Sequence, residues 1–127
     1  MYQSIVEDFN TELANWLTAR GIKLELAWEP CDPSGDSVQQ PAYSLKTIAA
    51  GAHDAEIRRW AKQIKAFGQQ LYFRPMSEMN GDWTSWSGGV NGNQPQDYIA
   101  AWRRLRQIFQ QEGATNAQFV WSPNRDG

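Results

Sequence analysis

One local pattern occurs three times in the sequence, and this repetition limits the chain to an α/β fold with parallel strands. In each copy, apolar residues at helical spacing precede a glycine, a short apolar run and a proline. The three glycines, Gly21, Gly68 and Gly113, lie 47 and 45 residues apart. Glycine adopts the left-handed conformation that ends many helices, and proline does not fit inside a central strand. Because right-handed crossovers keep successive strands parallel, we expect the carboxyl ends of the strands to meet at one edge.

The pattern predicts three helices and three strands. The first helix should begin at Ser4, which has capping-box spacing to Glu7, and the others near Asp54 and at Pro95. The predicted strands cover residues 22–28, 70–74 and 118–121. The helix faces predicted to be apolar and buried comprise Ile5, Val6, Phe9, Leu13, Trp16 and Leu17, then Ile57, Trp60, Ala61, Ile64 and Phe67, then Tyr98, Ile99, Trp102, Leu105 and Phe109.

The length of 127 residues limits how this pattern can be completed. It suits one domain, residues 1–127, whereas an eight-stranded α/β barrel takes about 250 residues. About three consecutive α/β units would therefore form either a partial (β/α)8 TIM barrel or a small doubly wound sheet. A barrel arc has its helices on one face of the sheet, and a doubly wound sheet has them on both.

Composition argues against several classes of function. Twelve Lys and Arg against fourteen Asp and Glu leave a net charge of −2, so we expect no nucleic-acid partner. No apolar run approaches the roughly 20 residues of a membrane helix, and the first ten residues do not resemble a signal peptide, so the localisation stays open. Cys31 and His53 are the single cysteine and histidine. We therefore predict no metal site and no cofactor, an exposed His53 and an unreactive Cys31.

Glu78 is the leading candidate for acid chemistry. It follows the second predicted strand and opens a loop, residues 78–93, that carries Trp83 and Trp86. Indole neighbours desolvate a carboxyl group and suit it to proton donation, and indole faces also stack on the C–H faces of sugars. A carboxylate that is paired with Arg74, or that caps a turn, would show the same residue types.

Other candidates lie at the strand ends or in the same loop. Arg74 would orient a carboxylate, form a structural ion pair, or do both. Glu29 would either face a ligand or form a salt bridge or a hydrogen bond with a neighbouring loop. The residues predicted to bind a ligand are Arg74, Ser77, Asn80, Trp83, Trp86, Trp28, Glu29 and Trp121.

The segment YFRPMSEMNGDWTSW, residues 72–86, resembles the acid/base segment of glycoside hydrolase family 26, the β-mannanase family. LAWEP at residues 26–30, the helical segment 48–68 and the segment 95–124, which includes WSPN, resemble neighbouring parts of that family. EMNGDW together with WSPN is a specific combination. The resemblance implies a (β/α)8 barrel that hydrolyses β-linked polysaccharide with retention, β-mannan being the favoured substrate.

The resemblance also implies roles for single residues. Glu78 would be the general acid/base at the end of the fourth barrel strand, Trp83 a sugar platform, and Arg74 and Asn80 supporting residues. The family usually has histidine where this chain has Ser77, a difference that bears on substrate class. Its nucleophile comes from a later strand, so we expect this chain to be a central fragment of the barrel that is inactive by itself. The alternative is a non-catalytic carbohydrate-binding or scaffold module derived from the same fold.

Overall fold

A parallel sheet of four strands forms the centre of the computed structural model, which describes residues 1–126. The strands lie in the order β1-β2-β3-β4, and each crossover contains a helix. The elements are β1 Tyr2–Ser4, α1 Thr11–Ala19, β2 Glu25–Glu29, α2 Leu45–Ala49, α3 Asp54–Phe67, β3 Leu71–Pro75, α4 Pro95–Glu112 and β4 Ala117–Phe119, with short 3₁₀ turns at Pro41–Tyr43 and Val90–Gly92.

One face of the sheet packs against the helices. Side chains alternate along β3, so that Phe73 points to the helix side, where it is fully buried. Its ring lies 4.8 Å from that of Phe109 on α4. On β2, Trp28 is also buried, and its ring centroid lies 6.3 Å from that of Trp60 on α3. The buried apolar side chains of the helices and strands join into one core on this face.

The opposite face of the sheet is polar and open. Arg74 lies there beside Ala27, and its Nε is 2.7 Å from Oε1 of Glu25. The guanidinium also contacts the hydroxyl of Tyr2, whose side chain is largely exposed. One-sided coverage is the arrangement of a barrel arc, in which the uncovered face becomes the interior. It excludes the doubly wound alternative.

The N-terminal strand is the main departure from the sequence prediction, which placed a helix from Ser4. Instead, β1 pairs with β2, since the Ala27 amide donates to the Met1 carbonyl at 2.8 Å and the Ile5 amide to the Glu29 carbonyl at 2.9 Å. The Ser4 amide does contact Glu7 Oε1, at 3.0 Å, but this bond stabilises a turn after the strand.

Helix α1 accordingly begins later than predicted. Its N-cap is Asn10, whose side chain accepts a hydrogen bond from the Leu13 amide at 3.0 Å. Because the helix starts here, Val6, Leu13 and Trp16 do not share a buried face, and Trp16 is 50% exposed. The prediction that Trp16 belongs to the core is wrong.

The predicted helix ends are confirmed at two of the glycines. Gly68 and Gly113 are the C-caps of α3 and α4, with φ of 80° and 73°, in the left-handed region. Gly21 follows the C-cap of α1, with φ of 70°. Trp60 on α3 is fully buried, as predicted. Ile99 on α4 is half exposed and therefore does not join the core.

An apolar groove of about 730 Å³ runs beside β4 along the outer side of α4. It is lined by Ile99, Trp102, Phe119 and Trp121, among others. Trp102, predicted as core, is only partly buried because it forms part of this wall.

His53 is not the exposed loop residue that the sequence suggested. Its side chain is only 12% exposed and its ring stacks on Tyr43, with centroids 4.4 Å apart. Nδ1 lies 3.0 Å from Glu56 Oε1, and Nε2 lies 2.7 Å from the Ala42 carbonyl oxygen. The imidazole therefore ties the start of α3 to the preceding 3₁₀ turn.

Candidate active site

Glu78 lies three residues beyond β3, in a segment whose backbone is left-handed at two positions without glycine. Met76 has φ of 50° and Glu78 has φ of 57°. The Glu78 amide donates to the Ser122 carbonyl at 2.8 Å, and the Met76 amide donates to the Trp28 carbonyl at 3.1 Å. The Tyr98 hydroxyl donates to the Met76 carbonyl at 2.9 Å. Contacts from β2, α4 and the segment after β4 thus fix the backbone on which Glu78 stands.

The Glu78 carboxylate is oriented by an amide side chain. Asn124 Nδ2 donates to Glu78 Oε1 at 3.3 Å. Asn80 in turn holds the backbone of Asn124. The Asn124 backbone amide donates to Asn80 Oδ1, and Asn80 Nδ2 donates to the Asn124 backbone carbonyl, each at 2.8 Å. Within residues 1–126, Oε2 of Glu78 has no hydrogen bond and no cationic side chain pairs with this carboxylate. One carboxylate oxygen is therefore held and the other is available.

Arg74 forms an ion pair with Glu25, which is the structural role considered for it. Its side chain also donates to Ser122 Oγ at 3.4 Å. Ser122 is the residue whose carbonyl accepts from the Glu78 amide. Arg74 thus supports the Glu78 backbone through Ser122 and does not touch its carboxylate.

The loop after Glu78 is pinned by buried polar side chains. Trp86 is 3% exposed, and its indole N–H donates to the Ser77 carbonyl at 2.7 Å. Asn93 is buried and donates to the carbonyls of Ser85 and Ser87, at 2.9 and 3.1 Å. Trp86 therefore holds the segment that carries Glu78, and its ring is not the open sugar-binding face that the sequence suggested.

Trp83 is the tryptophan of this loop that remains open, with 46% of its surface exposed. It lines a cleft of about 290 Å³ together with Glu29, Asp32 and Ser37, among others. Asp32 and Ser37 belong to the loop after β2, so the cleft lies between the loops that follow two adjacent strands. An exposed indole next to carboxylate and hydroxyl groups matches the chemistry of a sugar.

Glu29 is partly buried at the end of β2. Burial raises the pKa of this carboxyl group, the charge of Glu7 raises it further, and the hydrogen bond from the Cys31 thiol lowers it. The Cys31 sulfur lies 3.9 Å from Glu29 Oε2. Burial, with the charges of Glu29 and Asp32, raises the pKa of the Cys31 thiol to about 11. A thiol that stays protonated at neutral pH is a poor nucleophile.

Two of the tryptophans predicted to contact a ligand lie elsewhere. Trp28 is 1% exposed on the helix side of the sheet, between Trp60 and Phe73, so its assignment as a ligand contact is wrong. Trp121 is 61% exposed, but it lines the groove beside β4 and not the cleft with Trp83.

Two residues of the site, Asn124 and Tyr98, are not among the candidates predicted from the sequence. Asn124 lies just after the last predicted strand, at the edge where the other candidates meet, and this position was the available signal. Tyr98 was assigned to an apolar helix face, and nothing in the local sequence indicates that its hydroxyl reaches the Met76 carbonyl.

In the part of the chain that the structure describes, no group of three or more His, Cys, Asp or Glu side chains could hold a metal ion. The same residues include no helix with the length and apolarity needed to span a membrane.

Comparison with known proteins adds independent observations. Residues 24–126 match the model of Glycosyl hydrolase family 26. Endoglucanase H of Acetivibrio thermocellus is 37% identical over 108 residues, which are 84% of this chain and 11% of that protein. A GH26 β-mannanase from Bacteroides ovatus, BoMan26A, has the same fold over 92% of this chain and 38% of its own, with a TM-score of 0.70 and 21% identity. The chain thus spans only a minor part of either relative.

Proposed function

The chain belongs to glycosyl hydrolase family 26, and from this premise we propose that it forms part of a retaining, endo-acting hydrolase of β-linked polysaccharide with Glu78 as the general acid/base. The observation that carries the proposal is the carboxylate of Glu78, held on one oxygen by Asn124 and free on the other, at the carboxyl edge of a parallel sheet. In α/β barrels the active site lies at this edge.

The proposed chemistry has two steps. Glu78 first protonates the glycosidic oxygen as the bond to the sugar breaks, and then removes a proton from the water that hydrolyses the glycosyl-enzyme intermediate. A retaining enzyme also needs a nucleophilic carboxylate about 5–5.5 Å from the acid/base. We assign that group to another strand of the complete barrel and not to Glu29, so this chain alone should show no turnover.

The proposed substrate is β-mannan, with β-glucan as the competing class. The names of the two relatives refer to an endoglucanase and a β-mannanase, which supports a β-linked polysaccharide without choosing between them. Trp83 would stack on a sugar ring. Ser77 stands where the family usually has histidine, and its shorter hydroxyl changes what can be bonded beside Glu78.

The test uses a complete barrel that contains this chain. Glu78→Gln should lose nearly all activity on β-mannan, because a glutamine side chain cannot give a proton to the glycosidic oxygen as it leaves. Glu78→Ala should still react with a dinitrophenyl glycoside, whose leaving group needs no proton, and added azide should then yield the β-glycosyl azide. Glu12→Gln, an exposed change on α1, serves as the matched control.

Wild-type rates on polysaccharide in Glu78→Gln would contradict the acid/base role. A product with inverted configuration would contradict the retaining mechanism. If every β-glycan tested failed as a substrate, hydrolysis itself would be excluded as the function.

A non-catalytic carbohydrate-binding module is the second candidate, favoured by the exposed indole of Trp83 and by Ser77. It predicts that a complete barrel binds β-linked oligosaccharides with unchanged affinity in Glu78→Gln and releases no reducing ends. Measurable turnover would exclude it.

A further inference from the structure

We infer that Gly81 positions the sugar platform Trp83, because only a residue without a side chain leaves room for the indole where it lies. This inference rests on the proposed function, since it concerns the ring that would contact the sugar. A Cβ added to Gly81 would lie 2.3 Å from both Cη2 and Cζ3 of Trp83 and 2.6 Å from Cε3. These distances are far inside van der Waals contact, so any other residue at position 81 must displace the ring.

The need for glycine at this position is one of space and not of backbone conformation. Among residues 1–126, Met76 and Glu78 have positive φ, whereas Gly81 does not. Its amide donates to the Glu78 carbonyl at 3.1 Å, a bond that alanine retains. Gly81→Ala can therefore keep the turn that follows Glu78 and still force Trp83 to move.

The indole can move without unfolding the loop. Trp83 is 46% exposed, so part of its surface faces solvent and the ring can swing outward. The loop is fixed elsewhere by the buried Trp86 and Asn93. We therefore expect the alanine methyl group to change the position of one ring while the surrounding structure holds.

The position of the ring determines what the cleft can hold. Trp83 forms one wall, and Glu29, Asp32 and Ser37 contribute acceptors on other sides. A pyranose ring of a neutral β-linked oligosaccharide fits this combination, with its C–H face on the indole and its hydroxyls directed to the acceptors. Displacing the ring separates these two sets of contacts, and the turn at Gly81 links the platform directly to Glu78.

The first experiment follows the ring itself. Indole N–H signals are recorded by two-dimensional NMR, and the Trp83 signal is assigned by its loss in Trp83→Phe. Gly81→Ala should shift this signal and leave the Trp60 signal in place. Gly88→Ala is the matched control in the same loop, because a Cβ there meets no atom within 4 Å, and it should leave the Trp83 signal unchanged. An unmoved Trp83 signal in Gly81→Ala would overturn the inference.

The second experiment measures, by calorimetry, the binding of β-mannohexaose to the complete barrel in a Glu78→Gln background, where the proposed hydrolysis of the ligand is blocked. Gly81→Ala should weaken binding roughly tenfold, the size of a lost aromatic stacking contact, and Gly88→Ala should change it less than about twofold. If Gly81 acts through Trp83, Gly81→Ala/Trp83→Ala should bind no more weakly than Trp83→Ala alone.

The outcomes separate the two claims. Additive losses in the double variant, or unchanged affinity in Gly81→Ala despite a shifted Trp83 signal, would overturn the positioning role. A wild-type protein that binds neither β-mannan nor β-glucan oligosaccharides would overturn the proposed function. The NMR shift would then report only a packing contact between Gly81 and Trp83, with no role in binding.

Discussion

The left-handed backbone at Glu78 predicts that this position destabilises the fold. A residue with a Cβ in this conformation costs about 1–2 kcal/mol, whereas glycine adopts it freely. Glycine also loses more freedom on folding than alanine, a cost of roughly 0.5–1 kcal/mol. Glu78 has φ of 57°, so the relief of backbone strain in Glu78→Gly exceeds the extra entropy cost of glycine. We therefore expect Glu78→Gly to be more stable than Glu78→Ala by roughly 0.5–1 kcal/mol.

The comparison between these two variants isolates the backbone. Both remove the carboxylate and with it the hydrogen bond from Asn124, so that loss cancels. Urea unfolding followed by circular dichroism gives the free energy of unfolding, and equal slopes in the two variants show that the unfolded states are comparable. The melting temperature should differ by about 3 °C for a chain of this size.

A helical position provides the control of opposite sign. Gln107 is exposed within α4, where the backbone is right-handed. There, Gln107→Gly should be less stable than Gln107→Ala by about 1 kcal/mol. If Glu78→Gly is no more stable than Glu78→Ala while the Gln107 pair behaves as expected, the backbone at Glu78 stores no strain and the reasoning is refuted.

Three further predictions concern titratable groups. The hydrogen bond from Arg104 holds the pKa of Asp54 below its ordinary value. This pair therefore stabilises the fold above about pH 4, and its contribution is lost as the pH falls through the lowered pKa. The urea midpoint of unfolding should accordingly fall less steeply on acidification in Asp54→Asn than in the wild type. Burial raises the pKa of Glu29, so its contribution to stability is present below its unfolded pKa of about 4.3 and is lost as the pH rises through the raised value. In the same assay, Glu29→Gln should therefore gain stability over the wild type as the pH rises above about 4 and through the raised pKa. A stability difference that stays constant with pH would contradict this. With a pKa of about 11, Cys31 should react with iodoacetamide at pH 8 roughly 100-fold more slowly than free cysteine, and a similar rate, read by mass spectrometry, would show that the thiol is not protected.

The features that local sequence could predict are those set by local forces. The left-handed C-caps at Gly68 and Gly113, and the strands that follow them, depend on neighbouring residues and were predicted correctly. The strand β1 was missed because three residues carry little pattern and their pairing partner lies 25 positions away. Ser4 and Glu7 do bond to each other, so their spacing indicated a real contact and the wrong element.

Within the candidate site, the alternation of side chains along a strand decides which candidates face the helices and which face the open side of the sheet. Trp28 lies two residues after Leu26, so both side chains are on the same face of β2 and point to the helices, although Trp28 is near the end of the strand. Arg74 directly follows Phe73 along β3, so its side chain is on the other face of the sheet, the open one. Asn124 and Tyr98 reach Glu78 and Met76 from elements that are 46 and 22 residues away, and such contacts are set by the tertiary fold.

The Glu78 segment is held by contacts from neighbouring elements of the described residues. They are supplied by Trp28 at the end of β2, Tyr98 on α4, and Ser122 and Asn124 after β4. The strands β2 and β4 flank β3, so elements adjacent to β3 supply these contacts. The nucleophile of a retaining enzyme must approach from another side of the substrate, at about 5–5.5 Å from the acid/base. With Glu78 as the acid/base that we propose, the strands adjacent to β3 hold one carboxylate of the pair, and the proposed hydrolysis also needs the second carboxylate that a closed barrel brings opposite it.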